Sequence, residues 1–240
     1  MYKQAFGAFV AHFSIFLAFA ALATFLDEVD LGSSFVGVKI VLSGLLAFYC
    51  HRMILLGDDF GWDQVIAKRS KFGNSIRLWP FMWRLLLATT LFILSATAIF
   101  FQLRGVVESA LQGPDVFVIG FLLSALIALP FYGIALALFG TVFPAASINA
   151  DASLSAAFTR GKARFWITLW RLFIGFFCFS MVGVAAYVSV SVYFGYQTAA
   201  DGIFYYVLSF GATLLGCFST LLAATALSMA YQEARTPSSE

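Results

Sequence analysis

Six apolar runs constrain this chain more than any other feature. They cover residues 7–26, 35–56, 79–103, 116–143, 165–194 and 203–231. At ~1.5 Å per residue, a helix over each run reaches ~30 Å or more, the thickness of a bilayer's hydrocarbon core. Inside a bilayer a segment must satisfy its own backbone hydrogen bonds, so runs of this length predict membrane-spanning helices. The expected fold is all-α and polytopic, with six transmembrane helices. Composition agrees: 62% of residues are hydrophobic and only 11% charged, where soluble domains run near one half and one quarter. No stretch between the runs approaches the ~50 residues of an independent soluble domain. Residues 1–240 are therefore read as a single transmembrane domain.

The first run ends at Asp27, Glu28 and Asp30. Lys3 ahead of it and Ala21-Leu22-Ala23 near its end imitate a signal peptide. It is read as the first membrane helix, retained in the protein. Pro130 inside the fourth run removes a backbone donor, so a kink is expected just before it, and Pro144 is expected to mark that helix's end.

Charge sets the orientation. With the N-terminus inside, 12 of the 14 Lys and Arg residues fall on the cytoplasmic side, and only Lys39 and Arg104 do not. That asymmetry predicts cytoplasmic termini and a multi-pass protein of a cell's inner membrane. The outer loops 27–34, 104–115 and 195–202 are too short for a catalytic or receptor domain.

The two longer inner loops share a plan. Residues 59–72 follow acidic residues, carry Trp62, Val65, Ile66, Arg69 and Phe72 at helical spacing, and end in basic residues before Gly73. Residues 149–160 start near Asn149 or Asp151, line up Leu154, Ala157 and Phe158, and close on Arg160-Gly161. Both are predicted as amphipathic helices at the cytoplasmic interface. After each comes a matching nonapeptide, RLWPFMWRL at 77–85 and RFWITLWRL at 164–172, identical at five of nine positions at an offset of 87. Interfacial composition explains Arg and Trp here but not their register. A parallel duplication of helices 2–3 and 4–5 is expected.

Three short features resemble a broad group of bacterial six-helix integral membrane proteins. They are His51-Arg52 followed by Leu55-Leu56-Gly57-Asp58, the segment Phe143-Pro144-Ala145, and an Ala/Ser-rich stretch leading to Arg164-Phe165-Trp166. The group looks like the YciC-type proteins and the membrane region attached to some glycerophosphodiester phosphodiesterases. The resemblance implies a six-helix architecture. These residues include no phosphodiesterase domain, so it implies no activity.

Chemistry-bearing residues are few. Cys50, Cys178 and Cys217 lie in apolar runs without a paired spacing, which favours buried thiols over disulfides or metal ligands. No catalytic constellation, metal set or cofactor motif emerges, and the central thirds of the helices lack acids and bases. The candidate sites are interfacial. Arg77, Trp79, Trp83 and Arg84, with Arg164, Trp166, Trp170 and Arg171, are expected to meet membrane lipids, the arginines reaching back to anionic headgroups. His51 and Arg52 are placed at the headgroups as well. Ala212, Gly216, Thr220, Ala224 and Ser228 recur every four residues, a small-residue face for close packing or for a membrane-protein partner, including a second copy.

The leading expectation is a non-enzymatic scaffold, accessory or assembly subunit engaging lipids or another membrane protein, with no role for nucleic acid. The alternative is a transporter or channel for a small neutral or lipid-like solute, which a polar cavity around Ser124, Pro130 and Tyr132 would favour over a sealed bundle. A weaker alternative is haem binding through His12 and His51, the chain's two histidines.

Overall fold

The structure, a computed structural model, describes residues 1–28, 35–56, 78–110, 116–193 and 203–235. Among them every regular element is helical. In chain order these are α1 (Tyr2–Ala11), α2 (Phe13–Glu28), α3 (Phe35–Leu56), α4 (Leu78–Ala110), α5 (Val116–Phe139), α6 (Val142–Ser147), α7 (Leu154–Ala163) and α8 (Phe165–Leu172). A π-helical turn (Phe173–Phe177) then leads into α9 (Cys178–Tyr193), and α10 (Ile203–Arg235) closes the chain. The inner-loop helix expected over 59–72, and Arg77, lie outside the described residues.

By length and composition, three helices can cross a membrane: Leu78–Val106, Phe165–Gly183 and Tyr206–Arg235. The pair α1 and α2 adds a fourth if read as one bent span. The protein is thus all-helical with three to four helices fit to span a bilayer.

Several boundaries differ from the sequence expectation. The first run is two helices that meet at 80°. His12 leaves helical geometry at φ −116°, ψ 26°, and the chain turns there. The residues on both sides of the bend are mainly apolar, so hydropathy does not mark it. The fourth run stays helical through Pro130 but stops at Phe139, and Pro144 sits inside α6 instead of marking an end. The break falls at Gly140, where a Cβ would collide with the Leu136 carbonyl oxygen and come within 2.6 Å of Leu227.

The start of α7 is also displaced. Asn149 belongs to the preceding helix as its left-handed terminator, at φ 57°. Asn149 N–H donates to the Ala146 oxygen (3.3 Å) and Ala150 N–H to the Ala145 oxygen (2.8 Å). Those two bonds close α6 in a Schellman motif, in which Asn tolerates the left-handed position better than most residues. The cap of α7 is Ser153, whose side chain accepts from Ala156 N–H at 3.3 Å. Asp151 lies two residues ahead of the cap, accepting from Ser153 N–H at 3.0 Å.

Two apolar cores hold the molecule. One gathers Phe48, Phe81, Leu136, Phe143, Leu172 and Leu227 from α3, α4, α5, α6, α8 and α10. The other joins Ala5, Phe16, Leu46, Cys50, Leu221 and Leu222 from α1, α2, α3 and α10. Helices α3 and α10 contribute to both, and α10 also packs against α1, α2, α6, α7, α8, the π turn and α9, so it is the axis of the bundle.

Candidate functional site

The most built-up site is a half-open cavity of about 450 Å³ lined by α3, α4, α5, α6, the π turn and α10. Most of its wall is apolar, with Leu85, Leu136, Phe176, Ala224 and Leu227 among the lining residues. Five polar side chains interrupt it: Ser43, His51, Thr89, Tyr132 and Thr220. A volume in the ~300–1,000 Å³ range, apolar walls and a few polar groups are what small-molecule sites share. Of the residues expected to mark a polar path, Tyr132 lines the cavity. Pro130 is not in its wall, and Ser124 is fully buried, its hydroxyl donating to the Gly120 oxygen at 2.8 Å.

Aromatic rings form one end of this cavity. His51 lies 5.9 Å edge-on from Phe81 and 6.4 Å from Phe143 in near-parallel stacking, and Phe81 and Phe143 are 5.7 Å apart. Phe48 packs behind Phe81 at 5.2 Å. His51 Nδ1 shares a 2.9 Å hydrogen bond with Ser228 Oγ on α10. That bond commits one ring nitrogen and leaves Nε2 as the one available to a ligand.

Both residues of the His51-Arg52 pair are 3% exposed, so neither lies at the surface where the sequence reading put it. They occupy the last turns of α3, where α6 and α10 pack over them. Sequence proximity to a charged loop suggested headgroups; the cover comes from helices remote in the chain. Ser228 belonged to the small-residue stripe, but nothing in the sequence pairs it with His51. His12 lies at the bend between α1 and α2, not within a continuous helix.

The two nonapeptides keep their register in three dimensions. Each lies in helix from its second residue on, Leu78 to Leu85 within α4 and Phe165 to Leu172 over α8. Phe81 and Thr168, equivalent positions, are both fully buried. The tryptophans face outward in both: Trp79 (75% exposed), Trp83, Trp166 and Trp170. The second arginines turn to protein groups. Arg84 donates to the Pro80 oxygen (2.6 Å) and to the Ala152 oxygen ahead of α7 (3.0 Å). Arg171 forms a 2.7 Å ion pair with Glu233 on α10. Arg164 is the junction residue between α7 and α8.

The small-residue stripe divides. Ala224 and Ser228 are buried in the bundle. Ala212 and Gly216, nearer the start of α10, line a groove of about 380 Å³ against α9, and Thr220 lines the central cavity. The three cysteines are free, Cys50 and Cys217 buried and Cys178 exposed. Among the described residues, no three His, Cys, Asp or Glu side chains converge as a metal site.

Comparison with protein-family profiles, with curated proteins and with solved structures finds no match.

Proposed function

We propose that this protein is a six-span carrier or channel that holds a small neutral or lipid-like solute in the His51 cavity, without performing chemistry on it. The observation that carries this reading is the cavity itself: about 450 Å³ of mainly apolar space with His51 and Tyr132 in its wall. Uncharged polar groups among apolar ones suit a ligand with an apolar body and a hydrogen-bonding end. Six spans are supported by α3 and α5, whose 22 and 24 residues reach roughly 33–36 Å. The matched burial of Phe81 and Thr168 and the outward tryptophans of the two nonapeptides support the duplication. The charge asymmetry supports cytoplasmic termini in a bacterial inner membrane, and the outward tryptophans suit an interfacial belt.

The test is extraction of the purified full chain in mild detergent, followed by lipid and protein mass spectrometry. Wild type is expected to carry a stoichiometric neutral amphiphile that Ala224→Phe, which fills the cavity, excludes. Recovery of wild type with no such molecule would sink the carrier reading.

A second reading, the scaffold or accessory subunit, keeps one specific observation. Gly183 and Gly216 would meet no atom within 4 Å if given a Cβ, so the groove between α9 and α10 that they line is open. A helix of another membrane protein, or of a second copy, would fit such a small-residue face. In the same extraction, a stoichiometric protein partner without a small molecule would favour this reading.

A further inference from the structure

At the inner end of α3, the guanidinium of Arg52 is held at two points. Nη1 donates to the Ser147 carbonyl oxygen at 3.0 Å, and the charged carbon lies over the Phe48 ring, 5.7 Å from its centroid. The residue is 3% exposed, and its remaining donors, Nε and Nη2, are buried without a hydrogen-bond partner. In the planar guanidinium, Nε–H and the adjacent Nη2–H point the same way and form one fork. That fork matches two oxygens of a carboxylate or phosphate. The unused donors are therefore one intact binding edge.

A buried cation with two open donors is strongly unfavourable unless an anionic acceptor meets it. The described acids near the inner end are engaged elsewhere. Asp151 accepts from Ser153 N–H, and Glu233 pairs with Arg171. The atoms now against the fork offer no acceptor, so an anion that displaces them gains both hydrogen bonds. Phosphate is the anion a membrane surface supplies.

We propose that Arg52 is an anion site whose Nε/Nη2 fork takes two oxygens of a phosphate group, from an anionic lipid headgroup or as free phosphate. It does not depend on what fills the His51 cavity. Ser147 and Phe48 orient the guanidinium; Arg52 makes the contact.

The full chain in mild detergent is titrated with phosphatidylglycerol, with sodium phosphate, and with sodium chloride at matched ionic strength. Native mass spectrometry and thermal unfolding are the readouts. Arg52→Lys keeps the charge and loses the fork, so it is expected to bind about tenfold more weakly than wild type. Arg84→Gln is expected to bind as wild type does. Retention of phosphatidylglycerol with no effect of free phosphate identifies a headgroup; an effect of free phosphate in the absence of lipid identifies the soluble anion. The wild-type titration needs no variant to fold, and a wild-type midpoint that neither anion raises beyond chloride overturns the proposal. So does equal binding by Arg52→Lys, or a loss in Arg84→Gln as large as in Arg52→Lys.

Discussion

Gly161 shows how much one missing side chain decides in this protein. A Cβ there would collide with the Leu138 carbonyl oxygen and lie 2.6 Å from its carbon and 2.8 Å from the Ala137 oxygen. These are backbone atoms at the end of α5, so they cannot swing aside. Gly161→Ala is expected to lower stability by about 3 kcal/mol, read as a drop in thermal midpoint in detergent. A midpoint equal to wild type would mean that α7 does not seat on α5 as described. Asp151 makes a pH prediction at the same scale. The Ser153 backbone N–H holds its carboxyl below the ordinary 3.8, with the Ser153 side chain and the Arg160 charge acting in the same sense. A folded value below the unfolded one means the stabilisation is present above the unfolded value and is lost as pH falls through the lowered one. Asp151→Asn should therefore be less stable than wild type at neutral pH, and the gap should close only in acid below 3.8. A gap that persists in acid would assign the effect to something other than this carboxylate. The sequence showed Asp151 and Asn149 as cap candidates, yet not which residue ends α6 and which starts α7. The order of two abutting caps depends on where the backbone turns left-handed, and several Ser, Asn and Asp residues suit either task.

At the scale of elements, the π turn is the joint between the N-terminal helix and the cavity. On one side Tyr2 Oη donates to the Ile174 oxygen at 2.6 Å, and Met1 packs at the position where Gly175 lacks a side chain. On the other, Phe176 lines the cavity and Phe177 packs on Gly133, three residues after Pro130. A π turn widens the helix and shifts its hydrogen-bond pattern, so a carbonyl such as Ile174's can serve an outside donor. Tyr2→Phe removes that donor and is expected to cost about 1 kcal/mol. Hydrogen exchange should rise over residues 2–11 while the Leu221–Tyr231 stretch of α10 stays protected. Unchanged exchange over α1 would show that the phenol does not fasten it. The apolar run over 165–194 was legible, but its π turn was not, because hydropathy measures what a segment dissolves in and not its hydrogen-bond pattern.

For the whole molecule, the proposed six spans and their orientation can be read by reporter fusions. Six spans with both termini inside require a fluorescent protein fused after Arg235 to fluoresce, and alkaline phosphatase inserted between Ala110 and Val116 to be active. The opposite pattern would refute the orientation that the basic residues set. The bundle also reassigns the arginines of the nonapeptides. Arg84 ties α4 to the loop before α7, and Arg171 ties α8 to α10, so each braces one helix against another.

Apolar length determined from sequence alone that this chain is helical, with helices long and apolar enough to cross a membrane. Those are additive properties: each residue's transfer free energy contributes regardless of its neighbours in space. The bend at His12, the burial of His51 and Arg52, and the cavity that His51 lines were decided only by tertiary structure. Each depends on which helix covers which, as α10 brings Ser228 to His51 across 177 residues. No local pattern of hydropathy or charge encodes a contact at that separation.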